Sequence, residues 1–327
     1  MSADLRTEHS RDKGIDKMKK SLLTVLLVCA AARALAQQQG AAGPPPSPYA
    51  PLQDHPSCTR DELKQLTAAY VDAQAKGSLA ALPMDPKAHY LENGKDVDAG
   101  AGMWATPLQV AHAMSFHDDK RCKTFTEIVV TGPTPYVIGT RLYAHNGKII
   151  RVDSLVTKKG DWLFNANSYL KYTTKEDWSP LYKYQLTEPK EMIRGANAYL
   201  DGFSDKFTDI PWGTPCARLE GGGYTNAKGD PHASCEVGMP AGVLYITHRD
   251  YLIDEELGVI NVFCRFGGRA ESPDSHSFRY VDGKIRAVHT LTPIPGPQAN
   301  DDGGMIRGAA NPNAPRPASG GANGPRN

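Results

Sequence analysis

Two titratable side chains, Asp153 and His289, occupy the same place in two copies of one ten-residue pattern. Asn146-Gly147-Lys148-Ile149-Ile150-Arg151-Val152-Asp153-Ser154-Leu155 returns 136 residues later as Asp282-Gly283-Lys284-Ile285-Arg286-Ala287-Val288-His289-Thr290-Leu291. An ionisable group set into an apolar strand face has its pKa displaced by burial, which suits it to move protons near neutral pH. Alternation puts His289 with Ile285, Ala287 and Leu291 on the more apolar face of its run, so it is expected to point inward. Asp153 shares a face with Ile149 and Leu155, but Ile150, Val152 and Val156 make the other face as apolar, so its direction stays open. A buried polar side chain bonded to backbone fits both positions equally well.

Further candidates surround this pair. Arg218 and Glu220 stand two apart between Pro215 and Gly221-Gly222-Gly223, so both can face one side of an extended stretch, holding an anion or pinning the loop by a salt bridge. Asp254-Glu255-Glu256 precede Gly258; they form a solvated corner, or one faces inward opposite His276 or His289 as an acid and base pair. Asp254 or Glu255 activating a water would make an epoxide or ether hydrolase. Tyr251 and Tyr199 are donors for an oxyanion, and Trp212, His276 and His117 join Tyr199 as candidate substrate contacts. His112, His117 and Asp118 form a further group, in which His117-Asp118-Asp119 could ligate a metal, but no further ligand stands at zinc-like spacing, so neither a metal nor another cofactor is expected. Gly100-Ala101-Gly102 is not placed as a dinucleotide loop, and there is no Gly-x-Ser-x-Gly.

These groups need elements to position them. Asn-Gly and Asp-Gly fit hairpin turns, because both central residues need positive φ, so the run after each turn is a strand paired to the one before. Thr59 with Glu62 forms a capping box for a helix that carries Leu63, Leu66, Tyr70 and Ala73 up to Gly77. His89 to Glu92 reads as a short strand, and residues 103–117 as a helix after Pro107. Thr124–Thr131, Tyr136–Ala144 and Lys148–Thr157 read as antiparallel strands. Glu188-Pro189 opens a second helix with Met192, Ile193, Ala196, Tyr199, Leu200 and Phe203 on its apolar face. Ala198-Tyr199-Leu200-Asp201 mirrors Ala69-Tyr70-Val71-Asp72, which extends the repeat. A Gly-rich segment over 211–223 and strands over 243–251, 258–266, 276–280 and 284–292 follow.

Each half thus runs helix, irregular middle, then antiparallel meander, an α+β order with helices packed on a curved sheet. The expected organisation is an extension and signal peptide (1–36), a linker (37–56), a first half (57–172), a connector (173–188), a second half (189–293) and a disordered tail (294–327).

With 327 residues, 40% hydrophobic and 22% charged, the chain is long enough for two modest globular units. Its formal charge of +1 moves to about −2 once residues 1–36, with 7 Lys/Arg and 4 Asp/Glu, are removed, so nothing basic marks it for nucleic acid. Met18-Lys19-Lys20, the apolar run from Leu22 to Ala32, and Ala34-Leu35-Ala36 have the layout of a secretory signal, with Gln37 as the new N-terminus. Five cysteines then remain. Outside the cytoplasm that number favours bridges, expected as Cys58–Cys122 and Cys216–Cys235, with Cys264 free in a buried strand.

The order of elements resembles the nuclear-transport-factor-2-like superfamily of cone folds, which includes SnoaL-like cyclases, steroid isomerases and scytalone dehydratase. The strings Cys58-Thr59-Arg60-Asp61-Glu62-Leu63, Gly160-Asp161-Trp162-Leu163-Phe164-Asn165, Pro211-Trp212-Gly213-Thr214-Pro215-Cys216-Ala217-Arg218-Leu219-Glu220 and Asp254-Glu255-Glu256-Leu257-Gly258 resemble a secreted fungal and bacterial family of unknown function, over residues 57–293. The resemblance implies two tandem cones, each with a hollow, and an Asp or His in such a hollow as the proton-transfer group. The combined expectation is a secreted, cofactor-independent lyase or isomerase acting on a small hydrophobic or aromatic compound. His289 would be the base, and Arg218 and a tyrosine would stabilise the oxyanion. A non-catalytic module that binds a small molecule, or joins another chain as in a homodimer, is the alternative.

Overall fold

A computed structural model of the chain describes residues 58–98, 100–236, 244–267 and 271–304. The expected signal peptide and linker, Val243 and residues 305–327 lie outside the described residues.

Helix α1 (Arg60–Lys76) starts where the capping box places it: the Thr59 hydroxyl accepts from Glu62 N at 3.2 Å, and Glu62 accepts from Thr59 N at 2.7 Å. It ends at Gly77, whose φ of +64° and approach to Pro107, 2.7 Å from where a Cβ would sit, both call for glycine. The first sheet follows with β1 (Met84–Glu92), β2 (Lys95–Asp96), β3 (His112–Asp118), β4 (Lys123–Val130), β5 (Tyr136–His145) and β6 (Lys148–Lys158), ordered β2-β1-β6-β5-β4-β3. After α2 (Ala166–Thr173) and α3 (Pro189–Asp201), the second sheet comprises β7 (Trp212–Glu220), β8 (Gly223–Tyr224), β9 (Ile246–Asp254), β10 (Val259–Phe266), β11 (Ser272–Val281) and β12 (Lys284–Leu291). Its order, β8-β7-β12-β11-β10-β9, repeats that of the first. The two matched turns hold Asn146, Gly147, Asp282 and Gly283 at φ between +50° and +74°, as their hairpins require.

Four expectations are corrected. The sheets are mixed, because β1 runs parallel to β6 and β7 parallel to β12; the strand after each helix docks beside the last strand, a long-range choice that no local pattern encodes. Residues 103–117 hold one 3-10 turn, Met103–Ala105, and then β3, whose full register with β4 overrides the helical reading. The segment over 211–223 is largely strand, paired along β12. Residues 294–304 are ordered, strapped across α2: Leu163 N donates to Pro297 O, Asn165 Nδ2 to Ala299 O and the Tyr172 hydroxyl to Asp302 O. Helix α2 itself was not foreseen.

Each sheet is buried on both faces, and this decides where the site can be. One face of the first sheet lies under α1, with Tyr70, Trp104, Ile128, Ile138, Leu142, Val152 and Val156 packed together. The corresponding face of the second lies under α3, with Met192, Ala196, Tyr199, Ile260, Val262, Phe278 and Val288. The opposite faces meet each other in a seam built from Phe116, Phe125, Leu252 and Val259, and from Val129, Val137, Leu219, Leu291 and Tyr169. Burying each such side chain contributes about 1.5–3 kcal/mol. At the edge of the seam Asp118 and Asp254, 136 residues apart, bond reciprocally. Asp118 accepts from Ile253 N and Asp254 from His117 N, both at 2.8 Å. Cys58–Cys122 and Cys216–Cys235 are bridged and Cys264 is free and buried.

Candidate functional site

His289 and Asp153 both project into the seam, not into a hollow beneath a helix. Alternation grouped His289 with Leu291 correctly, but Leu291 belongs to the seam. A sheet buried on both faces is apolar on both, so apolarity cannot mark the pocket side.

His289 is fully enclosed. Its Nε2 lies 2.5 Å from Glu176 Oε2 and its Nδ1 lies 3.0 Å from Glu127 Oε1, with the Tyr169 hydroxyl 3.3 Å from Nδ1. Burial lowers its pKa, but Glu176 and Glu127 outweigh this and push it up to about 10. At neutral pH the ring is an imidazolium with both N–H groups engaged, so it clamps the first half and the connector to the second. It has no vacant nitrogen with which to act as a base, which corrects the role expected for it.

Asp153 stands elsewhere along the seam, at a cavity of about 390 Å³ lined from both halves. Strand β6 supplies Asp153 and Arg151, β5 supplies Tyr143, β4 supplies Lys123, and β9 supplies Asp250. The Tyr143 hydroxyl donates to Asp250 Oδ2 at 2.7 Å and stands 3.3 Å from Asp153 Oδ2, so it bridges two carboxylates. Burial opposes ionisation of Asp250, but Arg141 and Lys123 outweigh it and hold the carboxyl below its usual range. Arg141 is buried behind it, donating to Asp250 Oδ2 at 2.8 Å, and Lys123 Nζ donates to Oδ1 at 2.6 Å. Burial lowers the Lys123 pKa and Asp250 only partly offsets that. Burial also holds the Tyr143 hydroxyl protonated, well above its ordinary pKa. Asp153 accepts from both Nε and Nη2 of Arg151, at 3.1 and 2.7 Å, and that arginine is 47% exposed, so water can replace it beside the carboxylate. The cavity therefore brings together an exchangeably paired carboxylate, a phenol and a lysine in one solvent-reachable place.

The hollow under α3 collects most of the remaining candidates. Arg218 and Glu220 face it from β7, paired at 3.3 Å, and Arg218 donates to the Tyr199 hydroxyl. Tyr199 packs edge-on against Trp212 and His276. Asp274, with Oδ2 3.3 Å from His276 Nδ1, and Cys264, with Sγ 3.9 Å from the same nitrogen, complete a cluster in which every side chain of the three is at least 95% buried. Burial pushes Asp274 up to about 8 and His276 down to about 3, and raises the Cys264 thiol. Apolar side chains pack closely around them, as in the hollow under α1.

The other candidates are occupied. Asp254 pairs with Arg60 at 2.9 Å and caps β3 through His117 N, so it faces neither His276 nor His289 and has no lone pair spare for a hydrolytic water. Glu255 is on the surface with Lys120. The Tyr251 hydroxyl donates to Asn197 Oδ1 at 2.7 Å. His117 Nε2 meets the Thr67 hydroxyl at 3.0 Å, and burial lowers its pKa to about 4. His112, at the far end of β3 from Asp118, joins no ligand set with it. Tyr143, Lys123, Asp250, Glu127, Glu176 and Asp274 were missed. Tyr143 and Lys123 sit in runs that read as ordinary strand, and only the meeting of the two sheets gives them partners.

Residues 186–292 match the profile of a domain of unknown function, DUF8021. That span runs from just before α3 to just past β12, the second half of the chain. Two solved structures overlap weakly: an NTF-2 like protein of unknown function from Burkholderia xenovorans LB400 (16% identity, 30% of this chain and 84% of the other, TM-score 0.25), and AclR, called a putative hydroxylase, from Streptomyces galilaeus (16%, 31% and 82%, TM-score 0.25). No curated protein matches the chain. The fold itself is α+β, two six-stranded sheets of the same strand order with few helices.

Proposed function

We propose that the chain is an exported acid–base enzyme, a lyase or isomerase for a small carbonyl compound, whose chemistry takes place in the seam cavity. The observation that carries this reading is the convergence of Asp153, Tyr143, Lys123 and Asp250 on one cavity of about 390 Å³, large enough for a small organic molecule. Asp153 takes a proton from the carbon beside the carbonyl. The electron pair moves onto the carbonyl oxygen, which Lys123 and the Tyr143 hydroxyl stabilise. Return of the proton from Asp153 to another carbon completes an isomerisation; its transfer from Asp153 to a β-hydroxyl, which leaves as water while the carbonyl re-forms and the double bond closes, completes an elimination. Arg151 swings from Asp153 to solvent when substrate enters. Phe263 in the cavity wall supports a hydrophobic or aromatic substrate. The two disulfides and the charged-then-apolar pattern of residues 18–36 support export.

The test is deuterium wash-in from D₂O, followed by proton NMR, over a panel of small ketones and β-hydroxyketones. Wild-type protein exchanges or dehydrates at least one of them. Asp153→Asn is expected to slow that reaction by about 10²–10⁴-fold, and Lys123→Met to slow it with little change in KM. An Asp153→Asn variant with undiminished turnover removes the reading.

A further inference from the structure

We infer that Cys264, Asp274 and His276 form a binding site for a zinc-class divalent metal ion in the second half. Cys264 on β10 and Asp274 on β11 are direct cross-strand partners, and His276 lies two residues along β11 on the same face. Their ligand atoms, Sγ, a carboxylate oxygen and an imidazole nitrogen, all lie within 4.8 Å of one another, with His276 Nδ1 at 3.3 Å from Asp274 Oδ2 and 3.9 Å from Cys264 Sγ. Donors held tetrahedrally around zinc at its usual bond lengths are about 3.3–3.7 Å apart, so small side-chain adjustments close the set. Thiolate, imidazole and carboxylate together suit zinc better than magnesium or calcium, which prefer oxygen alone.

A second observation points the same way. Asp274 is 1% exposed and its Oδ2 has no hydrogen-bond donor, while Oδ1 is held by the Thr292 hydroxyl at 2.8 Å. A neighbour that fixes one carboxylate oxygen and leaves the other bare toward a histidine and a thiol is the arrangement metal ligands adopt. Arg218 and Arg249, whose charge reaches His276, are each paired with a carboxylate, Glu220 and Asp201, which reduces their repulsion of an ion. Thiolate and carboxylate would neutralise its two charges. The matched positions in the first sheet, Ile128, Ile138 and Thr140, offer no such ligands.

The full chain, secreted into zinc-supplemented medium and purified without chelator, is expected to carry one zinc per molecule by elemental mass spectrometry. After chelator treatment, one equivalent of Co²⁺ should bind with thiolate-to-cobalt charge-transfer absorption. Cys264→Ser should abolish that absorption and weaken zinc by more than about 100-fold, whereas Thr292→Val, which only orients Asp274, should weaken it by about 10–100-fold. Asp274→Asn serves as a second ligand variant if Cys264→Ser does not reach a native near-ultraviolet circular dichroism spectrum. Wild-type protein that holds no zinc and gives no thiolate–cobalt band would overturn the site. So would Cys264→Ser and Asp274→Asn variants that bind zinc as tightly as wild type. Neither outcome bears on the role of Asp153.

Discussion

Under α3 the second half carries Cys264, Asp274, His276, Thr290 and Thr292; under α1 the first half carries Ile128, Ile138, Thr140, Ser154 and Val156 at the same register positions. The neighbouring strand shows the same contrast, with Arg218 in β7 where β1 has Tyr90, although both keep a glutamate two residues on, Glu220 and Glu92. The first hollow is sealed by Trp104 lying against Tyr70 and Tyr90. One topology therefore supports a largely apolar interior and a polar one, and the polar version is placed under the half that matches the domain profile. The comparison teaches that the sheet order sets which residues meet, while the residues at a few register positions decide whether the meeting is inert.

The largest expected effects test whether the halves are matched at the seam. Asp118→Ala and Asp254→Ala each strip a buried carboxylate from a backbone N–H of the other half and from an arginine, Arg121 or Arg60. Each should lose about 3–5 kcal/mol in urea unfolding. A difference much beyond about 1 kcal/mol between them would show that the seam is not reciprocal in energy. Next, Ile138→Asp writes the second hollow's acid into the first, where Val156 stands in place of Thr292 and supplies no hydroxyl. A loss of about 3 kcal/mol is expected, whereas the reverse softening, Thr292→Val, should cost about 1 kcal/mol.

His289 gives a pH test of the same seam. Its folded pKa of about 10 lies above its ordinary 6.5, so its stabilising contribution is complete below about pH 6.5 and is lost as the pH rises through about 10. Melting temperature should therefore decline over that alkaline range, and less steeply in Glu176→Gln, where one of the two carboxylates is gone. An imidazole that titrates near 6.5 by NMR would contradict the clamp. A loss of about 1 kcal/mol, as for Thr292→Val, is expected for Thr59→Ala, which removes the cap of α1 without touching the seam.

Much of this architecture is legible in local stretches of the sequence. The Thr59–Glu62 box, Pro189 at the start of α3 and the Asn-Gly and Asp-Gly turns are local signals, since each fixes backbone geometry within four residues. The β1–β6 and β7–β12 pairings were not readable, because they join strands more than fifty residues apart. For the site, matched strand positions singled out Asp153 and His289, and glycine-bordered spacing singled out Arg218 and Glu220. What spacing could not supply was the side each group faces. His289 took the seam because both faces of β12 are apolar, and only the approach of Glu127 from the first sheet and Glu176 from the connector turned a presumed base into a fixed cation. Asp274, preceded by Ser272-Pro273 in a polar run, gave no sign of the burial that β10 and Thr292 impose on it.

The account stands most directly on the rates of proton exchange measured side by side in Asp153→Asn, at the seam cavity, and Tyr199→Phe, in the hollow under α3. It predicts a loss of at least about 100-fold in the first and an unchanged rate in the second, with both proteins melting close to wild type. A rate that collapses in Tyr199→Phe and survives in Asp153→Asn would move the chemistry out of the seam and back beneath the helix.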